Sequence, residues 1–222
     1  MLPIARDQKK LMAQRIVHFS FRFFVWLMQL VGVLRIHIYG KEHLNEQNNS
    51  LLIANHPTLI DVVVLISLMK ETDCIVKQAL WKNPLLGGVV RAAGYISNSS
   101  PEQLLNDCVK TIKKGRSLIV FPEGTRTTPG TAYKFQRGAA NIALRSGKDL
   151  LPATITCNPS SLTKEERWYQ IPRSGPVHLY IVIKDAIKIR PFIDNTDNIS
   201  LASRQLTHFL QDYYQKEVFA NE

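Results

Sequence analysis

Four apolar residues in a row, Leu51 to Ala54, run into the polar turn "NHPTLID" and then into a second apolar run, "VVVLI". A strand without polar alternation has no face to offer solvent, so it must be covered on both sides. "SLIVF", Ser117 to Phe121, is built the same way and stops in the turn "PEGTR". Two buried strands, each followed by a polar turn and then by helical sequence, point to an α/β sheet layered with helices. The 222 residues suffice for one such domain with a full core.

The other segments fit this scheme. "LRIHIYG" alternates as a half-buried strand would and stops at Gly40. Pro57 suits a first helical position, so "TLIDVVVLISLM" is expected to be a deeply buried helix. "CIVK", Cys74 to Lys77, reads as a strand. A helical stretch around 81–91 is interrupted by Pro84 and the pair Gly87-Gly88. Ser100, Pro101 and Gln103 predict a capping box for a helix that Gly115 stops. "QRGAANIALRSG" predicts a helix ending at Gly147. "LPATITC" and "VHLYIVI" predict strands, and "SLASRQLTHFLQDYYQKEVF" an amphipathic helix. The expectation is a single α/β domain over 35–222, with a mixed, largely parallel sheet flanked by helices.

Residues 1–34 read differently. Phe23 to Leu34 is an uncharged run bounded by Arg22 and Arg35. As a helix it spans roughly 18 Å, short of the roughly 30 Å hydrocarbon core of a bilayer. No small-residue cleavage site follows it, which argues against a signal peptide. Arg6, Lys9, Lys10 and Arg15 precede it with only Asp7 against them. A basic flank beside a short aromatic-rich run predicts a membrane-associated helical segment lying in one leaflet. A soluble core helix and a single tilted span with its arginines snorkelling are the alternatives, and Trp26 is either an interfacial anchor or plain core. Across the chain 28 Lys and Arg face 18 Asp and Glu, a net charge of +10 that favours an anionic partner. Cys74, Cys108 and Cys157 are odd in number and lack metal-ligand spacing, so they read as small buried residues in a reducing compartment.

Two turns carry residues suited to chemistry. With His56 outside the helix end, Asp61 can lean back toward it and accept from an imidazole N–H. That contact holds one tautomer and leaves the other nitrogen to take a proton from a hydroxyl. The competing reading is a plain helix cap. "FPEGTR", Phe121 to Arg126, places a carboxylate, a glycine and a guanidinium at the carboxyl end of a buried strand, where α/β sheets bind ligands. Gly124 would let backbone approach a ligand, and Arg126 would grip a phosphate or carboxylate. Against it stands an ordinary turn with a solvated ion pair.

Together "NHPTLID" and "FPEGTR" resemble the glycerolipid acyltransferases, the family of 1-acylglycerol-3-phosphate acyltransferase. "KQALWKNPLLGGVVRAAGYI", "KFQRGAANIA" and "LPATI" follow in that family's order, so the resemblance covers roughly 35–160. It implies that His56 is the general base and Asp61 its orienting partner. Glu123, Gly124, Thr125 and Arg126 would form the acceptor site, with Lys77, Arg91, Lys134 and Arg137 as further substrate or carrier contacts. The implied reaction moves a fatty or polyene acyl group from acyl-CoA or an acyl carrier protein to a hydroxyl of a lysophospholipid or related lipid or glycolipid. No metal and no bound cofactor are implied, since positioning, a base and oxyanion stabilisation suffice. The implied setting is the cytoplasmic face of the inner membrane, peripheral or monotopic, with the lipid surface as partner and no nucleic acid. One stretch departs from the family. An arginine that helps hold the acceptor phosphate is missing from "GYISNSS", Gly94 to Ser100. That shifts weight toward a neutral or glycosylated hydroxyl.

Other basic clusters invite weaker readings. Lys110, Lys113, Lys114 and Arg116 suit a solvated face at a helix end, or docking of an acidic carrier. "KEERWYQIPR", Lys164 to Arg173, interleaves aromatic and basic residues as an acceptor-side or membrane loop would, or as a packed surface loop. It is weakly similar to acyltransferases of polyene pathways. Two rival functions remain at this level: a thioesterase using the same dyad, and a non-catalytic module binding anionic lipid. No Gly-x-Ser-x-Gly elbow supports a serine esterase.

Overall fold

The computed structural model describes residues 6–45, 49–127, 131–161 and 175–219. Its elements in chain order are α1 (Arg6–Leu30), β1 (Leu34–Tyr39), α2 (Glu42–Asn45), β2 (Leu51–Ala54), α3 (Asp61–Leu68), β3 (Thr72–Val76), α4 (Gln78–Lys82), α5 (Gly87–Ala92), β4 (Ile96–Ser97), α6 (Pro101–Lys113), β5 (Ser117–Val120), α7 (Gly138–Ser146), β6 (Leu150–Asn158), β7 (Val177–Ile183), α8 (Arg190–Asp194) and α9 (Ile199–Phe219). The strands form one sheet in the order β1-β7-β6-β2-β5-β3-β4. Every neighbouring pair is parallel except β6 with β7, so the sheet is mixed and largely parallel.

The central strand shows why its sequence lacks alternation. Leu52 and Ala54 of β2 face the core beneath α1, α3 and α5. Leu51 and Ile53 face the core beneath α6, α7 and α9. All four are sealed from solvent, and each Leu or Ile so buried contributes about 1.5–3 kcal/mol. Strand β7 alternates because only its odd-numbered residues, Val177 to Ile183, are buried.

Several local expectations change. Helix α3 begins at Asp61, so Pro57 precedes the helix rather than opening it; residues 57–60 form a turn stapled by Asp61 instead. The stretch around 81–91 divides into α4 and α5, because Asn83 turns the chain between them. Ser100 stands at the start of α6, but its side chain makes no capping hydrogen bond, so the expected capping box does not form. Elements α2, β4 and α8 are too short to have left a periodic signal.

Helix α1 carries two apolar stripes on opposite sides. Val17 and Val25, with half-buried Phe21 and Met28, pack into the core with α3 and α5. Met12, Ile16, Phe19, Phe23, Trp26 and Leu30 recur at spacings of three and four on the outward side and are exposed. The membrane-suited surface is therefore this outward stripe, not the whole run from Phe23 to Leu34, of which Val25 and Leu34 lie in the core. Trp26 belongs to the exposed stripe, which removes the plain-core reading. Among the described residues no helix is long and apolar enough to cross a membrane.

A buried polar cluster fastens α1 to the domain. Asp73, at the amino end of β3, is fully buried between Lys10 Nζ at 2.8 Å and Arg116 Nε at 2.7 Å. Gln14 Nε2 donates to Asp73 Oδ1 and to the Ala93 carbonyl, while Gln14 Oε1 accepts from Arg116 Nη2. Arg116 is thus a structural cation, not part of a solvated basic face with Lys110, Lys113 and Lys114. His18 adds a ring contact to the Ile66 carbonyl at 2.8 Å.

Candidate active site

The chain leaves β2 and β5 in opposite directions. These strands are parallel neighbours, yet β2 leads into α3 over one face of the sheet and β5 leads toward α7 over the other. Such a divergence opens a crevice beyond the carboxyl ends of the two strands. "NHPTLID" and "FPEGTR" are the two turns that border it. Their meeting is set by register: Ile53 pairs with Val120, and the same offset continued brings His56 opposite Glu123.

His56 and Asp61 come together as expected. Nδ1 of His56 lies 2.8 Å from Oδ2 of Asp61, whose side chain is 0% exposed while that of His56 is 17% exposed. The same oxygen accepts the Thr58 N–H at 2.7 Å, and the Thr58 hydroxyl donates to Oδ1 at 2.5 Å. Asp61 sits in the first turn of α3, where the helix dipole favours an anion. Burial pushes its carboxyl above the ordinary carboxylate range, and the donors from His56 and Thr58 pull against that rise. With Nδ1–H given to Asp61, the proton-accepting nitrogen of the ring is Nε2. Phe121 stacks on the imidazole at a centroid distance of 4.3 Å and braces its plane.

Glu123 meets His56 through the backbone, not through the ring. Its Oε1 accepts the His56 N–H at 3.0 Å and the Thr127 hydroxyl at 2.8 Å. Thr127 closes the loop, donating its own N–H to the His56 carbonyl at 2.7 Å. Burial pushes the Glu123 carboxyl up, opposed by the hydrogen bonds from Thr127 and His56. A residue expected at the acceptor is therefore also a clasp between the two turns. Gly124 has φ +70°, a left-handed conformation that requires glycine for backbone reasons. Thr125 beside it is exposed and Arg126 half-buried.

The outer four cations stand on the segments that follow β3 and β5. Lys77 is exposed just past β3, and Lys134 and Arg137 are exposed on the segment before α7. Arg91 donates through Nη1 to the Trp81 carbonyl at 2.5 Å, tying α5 to α4. Among the described residues, none of the four pairs with His56, Asp61 or Glu123. In "GYISNSS", Asn98 accepts the Gln78 N–H and donates its own N–H to Val76, so this stretch buttresses the end of β3. The "KEERWYQIPR" segment lies outside the described residues.

Asn55, Thr58 and Thr127 escaped the sequence reading. Asn55 is buried and exchanges two hydrogen bonds with Ile155 of β6, at 2.8 and 2.7 Å, and donates to the Tyr133 hydroxyl. It pins the start of the His56 turn to the neighbouring strand. Thr58 left a trace, since Thr-x-x-Asp is the pattern of a reciprocal side-chain clasp. Nothing local marks Asn55, whose partners are distant in sequence, or the bond of Thr127 to His56, although Glu123 lies only four residues from Thr127.

A family model described as Acyltransferase matches residues 35–156. The chloroplastic 1-acyl-sn-glycerol-3-phosphate acyltransferase LPAT1 of Arabidopsis thaliana is 30% identical over 127 residues, 54% of this chain and 36% of that protein. The 1-acyl-sn-glycerol-3-phosphate acyltransferase of Pseudomonas aeruginosa is 27% identical over 157 residues, 68% of this chain and 60% of its own length. The matched stretches thus cover between about a third and three-fifths of these relatives. In fold, the chain is similar to the crystal structure of the 1-acyl-sn-glycerophosphate (LPA) acyltransferase PlsC from Thermotoga maritima. The TM-score is 0.71 at 20% identity, over 97% of this chain and 83% of that one.

Proposed function

The chain belongs to the acyltransferase family, and on that premise we propose that it is an O-acyltransferase moving an acyl group from a thioester to a lipid hydroxyl. The observation that carries this reading is the 2.8 Å contact of His56 Nδ1 with buried Asp61 beside the "FPEGTR" turn. His56 Nε2 takes the acceptor hydroxyl proton as the oxygen attacks the thioester carbonyl. Asp61 holds the ring and stabilises the imidazolium that forms, as the carboxylate of a Ser-His-Asp triad does. The tetrahedral intermediate then collapses, the carbon–sulfur bond breaks, and the imidazolium returns its proton to the leaving thiolate. Products are the ester and the free thiol of coenzyme A or carrier protein.

Arg126 is the guanidinium for an anionic acceptor group, and Glu123 and Thr127 keep the two turns in register around it. Relatives named for 1-acyl-sn-glycerol-3-phosphate make a lysophospholipid the first acceptor to test. The arginine-free stretch from Gly94 to Ser100 makes a neutral or glycosylated hydroxyl the second. The outward stripe of α1 would rest in one leaflet at the cytoplasmic surface, bringing lipid acceptor to the crevice.

The test is thiol release from long-chain acyl-CoA and acyl carrier protein thioesters, run with a panel of hydroxyl acceptors. Acceptor-dependent release that His56→Ala lowers by roughly a hundred- to ten-thousand-fold is the expected result. Release that ignores the acceptor would instead mark a thioesterase. Turnover surviving His56→Ala within a few-fold would remove the general base.

A further inference from the structure

Helices α4 and α5 and the turn between them present a second apolar surface that the acyl-transfer chemistry does not use. Leu85 is 86% exposed, and Leu80, Leu86 and Val89 are exposed beside it. Four large aliphatic side chains on one short hairpin are a patch, unlike apolar residues scattered singly. We propose that this hairpin is a membrane-docking element that enters the same anionic leaflet as the outward stripe of α1. The proposal rests on the membrane reading of α1 above and adds a second, separate point of contact.

Three observations single out lipid as the occupant. The first is charge. From Cys74 to Pro101 the chain has no Asp or Glu, while Lys77, Lys82 and Arg91 are exposed. Gln8 to Lys41, which holds the α1 stripe, is likewise free of carboxylates and carries exposed Lys9, Arg22 and Arg35, while Lys10 and Arg15 are held by Asp73 and Glu71. Apolar patches whose own segments carry cations and no carboxylates match an anionic leaflet, which attracts each basic residue near its surface.

The second is the backbone of the turn. Asn83 Oδ1 accepts the N–H groups of both Leu85 and Leu86, at 2.9 and 3.0 Å, and the Asn83 carbonyl accepts the Gly87 N–H at 2.8 Å. Arg91 satisfies the Trp81 carbonyl. The amides at the tip are thus hydrogen-bonded within the hairpin, which is what backbone must achieve before it leaves water for lipid. The third is position. Trp81, Val90 and Ala93 pack into the core that α1 and α3 also bury against, so hairpin and α1 belong to one layer of the fold. Leu59, exposed within "NHPTLID" itself, carries apolar surface to the crevice.

The experiment is flotation of the full chain with vesicles of phosphatidylethanolamine and phosphatidylglycerol, against vesicles of phosphatidylcholine alone. Exchanging Leu85→Asp and Leu86→Asp together should weaken partitioning to the anionic vesicles by roughly tenfold or more, with an unchanged melting curve. As a second readout, Leu85→Cys in a Cys157→Ser background takes an environment-sensitive dye, since Cys74 and Cys108 are buried. The dye should shift to the blue on vesicle addition and be quenched by brominated lipid. Unchanged partitioning of the double variant, or a dye that stays in water, would overturn the proposal. So would either of two activity changes at unchanged partitioning: loss of turnover with carrier-protein donors alone, which marks a carrier dock, or an altered chain-length preference, which marks an acyl pocket. Both main readouts are of binding, so failure to find an acyl acceptor leaves them intact.

Discussion

Asp61 and Asp73 are both fully buried, yet they sit at opposite edges of the sheet and have opposite kinds of company. Asp73 is answered at the amino edge by two cations, Lys10 and Arg116, and by the amide of Gln14. Asp61 is answered at the carboxyl edge by an imidazole and by the hydroxyl and N–H of Thr58. Permanent cations make the first carboxylate a fastener for α1. An imidazole at the mouth of a crevice makes the second one, in the proposed mechanism, the group that orients the base. Burial alone does not distinguish structure from chemistry; the partner does.

Crossing the two sites sharpens this contrast. Asp61→Asn is expected to cut turnover by roughly a thousandfold or more, because the ring loses its tautomer and its counter-charge. Folding stability should change by no more than about 1 kcal/mol in urea titration, since the amide still accepts from Thr58 and one buried charge is gone. Asp73→Ala should do the reverse. It leaves Lys10 and Arg116 unpaired and costs about 3–5 kcal/mol in the same titration, while the folded fraction keeps its turnover within a few-fold. Activity lost from Asp73→Ala without loss of stability would break the division of roles.

Glu123 lies between the two cases and tests the electrostatics. Burial raises its folded-state pKa, so over the window just above the ordinary carboxylate value the folded chain holds a proton the unfolded chain has released. Stability therefore falls as pH rises through that window. Glu123→Gln lacks this slope and keeps an acceptor for the His56 N–H. It should melt slightly above wild type at neutral pH, by less than about 1 kcal/mol, with the gap closing in acid. A variant that melts below wild type at every pH would show that the charge itself holds the clasp. A comparably small effect belongs to Lys10→Met, about 1 kcal/mol or less by urea titration, because Lys10 is 23% exposed and Arg116 still pairs with Asp73.

Most of the sheet was legible because its signals are local. Runs such as "LLIA" and "SLIVF" have no solvent face, and "VHLYIVI" alternates. Motif residues His56, Asp61 and Glu123 were legible as residue types at fixed spacings. Their partners were not. Pro57 looked like a helix opener because proline suits that position anywhere, whereas the Asp61 carboxylate delays the helix by holding Thr58 in a turn. Ser100 looked like a cap because composition cannot report where a hydroxyl points. Arg116 looked like one of a solvated group of cations, since its aspartate lies 43 residues away.

By itself, then, the sequence determined an α/β domain, the pairing of His56 with Asp61, and a basic apolar N-terminal helix. These rest on periodicity and on contacts spanning a few residues, which a linear reading can resolve. Tertiary structure alone decided that β2 and β5 are neighbours, that Glu123 clasps the His56 backbone, and that Asp73 binds α1 to the core. Those outcomes depend on register between segments far apart in the chain, which is set only when the sheet assembles and buries both faces.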